Sequence, residues 1–167
     1  RQVGISTVQK YMEQMNYGNQ NISENFPSYW LESSLKISPV EQVELLRKFY
    51  DNEFQFSENN INAVKSVLQI STSDNTTIYG RVHNQDVNGW FVGYVEKNGH
   101  TYFFATNIQS DKDADGKTAS EITFSILSYL KYWANCSLNY HPIDIDMLEC
   151  SLIRHLISDY LNIVCFR

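Results

Sequence analysis

The 167 residues carry 43% hydrophobic and 14% aromatic side chains against 19% charged ones, which excludes a disordered or fibrous chain and suits one folded domain with a sheet-rich core. A formal charge of -6 argues against the basic footprint that displaces counterions from phosphates, so no nucleic-acid partner is expected. No stretch approaches the roughly 20 apolar residues that cross a bilayer, and the opening Arg1-Gln2-Val3 does not read as a signal peptide.

Ser6 to Asn16 reads as a short helix, ended by Tyr17-Gly18-Asn19, where glycine permits a backbone conformation that the helix cannot continue. A polar loop runs to Pro27. Ser38-Pro39-Val40-Glu41 then has the spacing of a capping box with proline at the first helical position, and Val40, Val43, Leu46, Phe49 and Tyr50 recur at helical intervals. A second helix starts near Ser57, with Ile61, Val64 and Leu68 on one face, and stops before the turn-rich stretch from Ser71 to Asn75. Three strands follow: Thr76 to Val82, Trp90 to Glu96 and Thr101 to Ile108, the last two joined by Asn98-Gly99, whose residues favour the positive φ of a tight hairpin. Beyond the acidic loop Asp111 to Gly116, Ala119, Ile122, Ile126, Tyr129 and Trp133 predict a long helix, with Phe124, Leu127 and Leu130 giving it a second apolar face. From about Lys131 the character changes. All three cysteines, Cys136, Cys150 and Cys165, lie there, and Ile145, Leu148, Leu152, Leu156 and Tyr160 predict an amphipathic helix. The chain therefore divides into residues 1–130 and a divergent tail, 131–167, for which the periodicity predicts helix.

Three patterns look chemical and are read as structural. Asp111-Lys112-Asp113-Ala114-Asp115-Gly116 copies the first half of a calcium loop, but the twelfth position is Ile122 where a bidentate glutamate is needed. The cysteine spacing fits no zinc site, so no metal and no cofactor is expected. Ser33-Ser34-Leu35-Lys36, Ser73-Asp74-Asn75 and Lys117-Thr118-Ala119 imitate S-x-x-K, S-D-N and K-T-G in order. The first precedes the helix on which its lysine would have to sit one turn from the serine, and the third lacks its glycine and opens a helix. None is read as catalytic.

Three stretches, in order, carry a resemblance: Tyr17-Gly18-Asn19 with Tyr29-Trp30-Leu31-Glu32; Ser34-Leu35-Lys36-Ile37-Ser38-Pro39-Val40-Glu41-Gln42; and Asn88-Gly89-Trp90-Phe91-Val92-Gly93-Tyr94-Val95-Glu96 with Tyr102-Phe103-Phe104-Ala105-Thr106-Asn107. Together they resemble the C-terminal half of class D β-lactamases and, more strongly, the sensor domain of BlaR-type transducers, in the penicillin-binding transpeptidase-like family. The resemblance implies an α+β fold, an antiparallel sheet flanked by helices, with the N-terminal part of the domain lying upstream of Arg1. It implies a serine acylated by the antibiotic and a carbamylated lysine base, both upstream, so no catalytic residue is assigned here. By resemblance the cleft residues are Tyr17, Gly18, Asn19, Trp30, Leu31, Tyr79, Gly80 and Arg81. Relatives continue Tyr-Gly into Lys-Thr-Gly, which grips the antibiotic carboxylate; here Tyr79-Gly80 runs into Arg81-Val82-His83, and Arg81 is the candidate replacement charge. The implied partners are a β-lactam and the missing part of the same domain, on the outer face of a bacterial plasma membrane or in secreted form. A hydrolase fragment and a non-catalytic remnant are the alternatives to a sensor.

Overall fold

The computed structural model describes residues 4–22, 34–83, 88–111, 114–132 and 161–166. Three helices, α1 (Ile5–Met15), α2 (Pro39–Tyr50) and α3 (Glu58–Leu68), precede four strands, β1 (Gln69–Ser73), β2 (Thr76–His83), β3 (Asn88–Lys97) and β4 (His100–Gln109), then α4 (Gly116–Tyr129) and β5 (Leu161–Phe166). The strands form one antiparallel sheet in sequence order, the α+β architecture expected.

The period of two in the strands sends alternate side chains to two separate cores. On one face Ile78, Phe91, Val95 and Phe104 pack against Ala119 and Leu127 of α4. On the other, Tyr94, Phe103 and Ala105 pack against Val43 of α2, with Leu46, Tyr50 and Tyr79 around them. The cross-strand pair Gly80–Gly93 leaves a hollow on the α4 face, and the rings of Phe91 and Phe104 fill it with their centroids 5.0 Å apart.

Helix ends follow the local sequence closely. The Ser38 hydroxyl accepts from the Glu41 N–H (3.2 Å), while the Glu41 carboxylate accepts from the Ser38 N–H (2.8 Å) and hydroxyl (2.7 Å), which completes the capping box. These bonds hold the Glu41 carboxyl below its ordinary range, the Ser38 N–H contributing most. Ser38→Ala is expected to cost about 1 kcal/mol, checked by urea unfolding. The Asn98-Gly99 hairpin forms with φ of 51° and 77°.

Several details depart from the sequence reading. Asn16, at φ 50°, takes the left-handed cap of α1 that was expected of Gly18. Val40 and Val64, expected on buried faces, point to solvent. The stretch read as a turn before Thr76 contains β1: only Asp74 and Asn75 make the turn, at φ 39° and 53°, because a polar edge strand needs backbone pairing and no apolar alternation. Beyond β4, α4 ends at Tyr129, with Leu130 as its C-cap and Lys131 at φ 57°, short of the helix expected through Trp133, and Leu161–Phe166 is a strand beside β4, whereas the predicted helix from Ile145 to Tyr160 lies outside the described residues.

Candidate functional site

A cleft of about 1080 Å3 opens beside the helix N-terminus of α2. Its walls are the 17–19 turn, the segment 35–38 with the first turn of α2, and the end of the sheet formed by Arg81, His83, Asn88, Trp90, Val92 and Gln109.

The first wall is held by asparagine. Asn19 accepts at its side-chain oxygen from the Lys36 N–H (2.9 Å) and the Asn21 N–H (3.2 Å), donates its amide to the Ser34 carbonyl (2.6 Å), and gives its own N–H to the Lys36 carbonyl (2.9 Å). One side chain thus ties the turn to the strand-like segment before α2. Gly18 makes the approach feasible: its φ is +49°, and a Cβ there would lie 2.0 Å from the Lys36 carbonyl oxygen. Tyr17 closes the same wall, its hydroxyl donating to Gln42 at 3.3 Å.

Strand register builds the other wall. Arg81 pairs with Val92 and His83 with Trp90, so all four sit on the sheet face that carries α2 and line the cleft together. Behind them Asn107 is buried and fixes the rim by donating to the Asn88 side chain and, at 3.2 Å, to the Gly89 carbonyl. Arg81 is exposed, and among the described residues it takes part in no ion pair. Lys36 adds a second cation, while the acidic Glu41 is already engaged by Ser38. The cleft can therefore take an anionic group at its sheet side.

Four of the eight expected residues, Tyr17, Gly18, Asn19 and Arg81, come together in this cleft. Tyr79 and Gly80 lie within the sheet and are not among the residues that line the cleft. Tyr79 stacks on Tyr94 at 4.5 Å and donates to Glu96 at 3.2 Å, and Gly80 receives the Phe91 ring. Burial is the largest cause, and Glu96 a further one, of the upward pKa shifts of Tyr50, Tyr79 and Tyr94. Trp30 and Leu31 lie outside the described residues. His83, Gln109 and Gln42 were not singled out; alternation from Arg81 would have found His83, whereas Gln42 and Gln109 need the tertiary arrangement.

Of the three imitation motifs, the first reaches the cleft, where Leu35 and Lys36 line its wall while Ser33 lies outside the described residues, and the other two fall elsewhere. Asp74 and Asn75 form the β1–β2 turn, and Lys117 lies in the first turn of α4, where the Asp115 side chain caps the helix by accepting the Lys117 N–H at 2.9 Å. Among the described residues no group of three His, Cys, Asp or Glu could hold a metal ion.

The penicillin binding protein transpeptidase domain matches residues 1–128. Regulatory protein BlaR1 of Bacillus licheniformis is 43% identical over 132 residues, covering 76% of this chain and 22% of that protein. The methicillin resistance mecR1 protein of Staphylococcus aureus is 37% identical over 74% of this chain and 22% of its own length. Beta-lactamase OXA-10 of Pseudomonas aeruginosa is 36% identical over 68% of this chain and 46% of the enzyme. Among solved structures, the C-terminal domain of the Bacillus licheniformis BlaR penicillin-receptor superposes with a TM-score of 0.72 at 41% identity, covering 80% of this chain and 56% of that one. The class D β-lactamase of Bacillus subtilis gives 0.73 at 30% identity over 79% and 55%. The chain thus spans about a fifth of the length of the regulatory relatives and about half of the solved domains. A helix-flanked antiparallel sheet, a cleft between its end and α2, and a match across 128 residues agree: this chain belongs to the penicillin-binding protein transpeptidase domain family.

Proposed function

We propose that this chain is part of a β-lactam-binding sensor domain of BlaR type, acting on the outer face of the bacterial plasma membrane, and that the serine acylated by the antibiotic is not among its 167 residues. The observation that carries the reading is the 43% identity to BlaR1 over 132 residues, against 36% over 121 residues for the class D enzyme. Supporting it, the Ser38 hydroxyl at the cleft is committed to the α2 cap, and the K-T-A and S-D-N imitations sit in a helix start and a hairpin turn. In this reading residues 1–130 are the sensor portion and 131–167 a separate tail, and Tyr17, Gly18, Asn19, Trp30, Leu31, Tyr79, Gly80 and Arg81 form or brace the antibiotic cleft.

Labelling with fluorescent penicillin followed by intact-mass measurement is expected to give no covalent adduct, and an adduct on any serine of this chain would refute the proposal. The class D likeness, at a TM-score of 0.73, supports a second reading as part of a hydrolase; turnover of nitrocefin at an enzymatic rate would select it. Arg81 is assigned to the antibiotic carboxylate. Arg81→Gln should weaken non-covalent binding of benzylpenicillin roughly tenfold, in line with one charge-assisted hydrogen bond, and Arg81→Lys should restore part of it, both read by ligand-detected NMR. Equal binding by all three proteins would remove Arg81 from the site.

A further inference from the structure

β4 has the character of an interior strand. Phe103, Phe104, Ala105, Thr106 and Asn107 are buried in succession; Phe104 packs toward α4, Phe103 and Ala105 toward α2, and Thr106 shares a 2.7 Å hydrogen bond with Thr123 of α4. A strand covered on both faces and left open at one side would present a flat row of unpaired N–H and C=O groups to any passing strand. The opposite edge of the sheet is built differently. β1 is short, polar and exposed, and its register shifts between Gln69 and Ser71, features that discourage edge pairing.

The outer side of β4 is taken by Leu161–Phe166, paired residue by residue from Phe103↔Phe166 to Ile108↔Leu161. This strand comes from beyond residue 128, where the family match ends. Its sequence, Leu-Asn-Ile-Val-Cys-Phe, has adjacent β-branched residues and neither proline nor glycine. The geometry of the connection also fits. Tyr132 stacks on Tyr102 at 4.0 Å, and the Lys97 ammonium holds the Lys131 carbonyl at 2.6 Å, so the chain leaves α4 beside the start of β4. β5 begins opposite the far end of β4, roughly 20 Å away, a distance that the 28 residues numbered 133–160 exceed in reach several times over.

We propose that the outer edge of β4 is a strand-accepting site whose occupant is the C-terminal segment Leu161–Phe166, bound in cis by antiparallel backbone pairing, and that this segment keeps the sheet from pairing with a second copy of the chain. The binding chemistry is main-chain hydrogen bonding along an extended segment.

The test uses the full chain carrying Ile163→Pro and Val164→Pro together. Adjacent strand residues point their N–H groups to opposite sides, so one of the two prolines removes a ladder bond to β4 and both disturb the strand. In dilute solution, where the variant is monomeric, hydrogen exchange across residues 103–108 should accelerate about tenfold or more while β2 and β3 stay protected, and at rising protein concentration light scattering should show self-association. A synthetic peptide of residues 159–167 should restore both slow exchange and the monomer. Unchanged exchange across 103–108, failure of the peptide to restore it, or a variant that stays monomeric at every concentration overturns the proposal. Should the double variant not fold, the unaltered chain decides: slow exchange in 161–166 matched to that of β4 supports the proposal, and fast exchange there with β3 still protected overturns it.

Discussion

Gly93→Ala is expected to lower stability by about 3 kcal/mol or more, a fall of roughly 10 °C in Tm for a domain of this size, measured by calorimetry or urea unfolding. The cause is local and steric. A Cβ at Gly93 would sit 2.0 Å from the Tyr79 carbonyl oxygen, 2.7 Å from the Gly80 Cα and 2.7 Å from the Phe104 ring. Two of those three neighbours are backbone, so relief requires β2 to move away from β3. Moving β2 shifts Ile78 on the α4 face and Tyr79 on the other, so the cost reaches both cores at once. A cooperative melt within 2 °C of the unsubstituted chain, roughly the effect of less than 1 kcal/mol, would show that the strands separate more freely than this packing requires.

Gly18→Ala should give a different signature: a modest loss of stability, about 1 to 2 kcal/mol, with a large loss of ligand binding in the cleft. The added methyl would meet the Lys36 carbonyl oxygen at 2.0 Å, and alanine would also carry the strain of φ +49°. α1, which precedes this turn, buries none of its residues, so opening the wall exposes little core. It does break the hydrogen bonds by which Asn19 holds Lys36 and Ser34, and those bonds set the width of the cleft. Binding of benzylpenicillin should fall at least as far as in Arg81→Gln, with faster hydrogen exchange confined to the 17–21 and 34–37 segments. Full binding with intact exchange protection would show that the turn does not form a cleft wall.

Much of this molecule was legible before any coordinates because its signals are local. Capping of α2 rests on Ser38, Pro39 and Glu41, all within one turn, and the β3–β4 hairpin rests on Asn98 and Gly99, where positive φ is needed. The family pattern was likewise legible, since its motifs are contiguous runs. Less local features were missed. β1 carries no apolar alternation, because an edge strand is defined by its neighbour; nothing in Gln69-Ile70-Ser71-Thr72-Ser73 announces β2 beside it. The exposure of Val40 and Val64 followed the same logic, since helical spacing places residues on a face and the partner decides which face is covered.

By itself, the sequence determined the order of α2, α3, β2, β3, β4 and α4, the capping and turn chemistry that begins and ends them, and the family to which the pattern belongs, because each depends on residues within a few positions of one another. Tertiary structure alone decided that the Asn19 side chain would be consumed in binding Lys36 and Ser34, that Arg81 and His83 would face Tyr17 across a cleft, and that residues 161–166 would lie against β4. Those outcomes join segments from about 15 to more than 50 residues apart, and no local pattern connects them: the register of the sheet sets which residues reach its end, and the packing of α2 on its face sets what lies opposite.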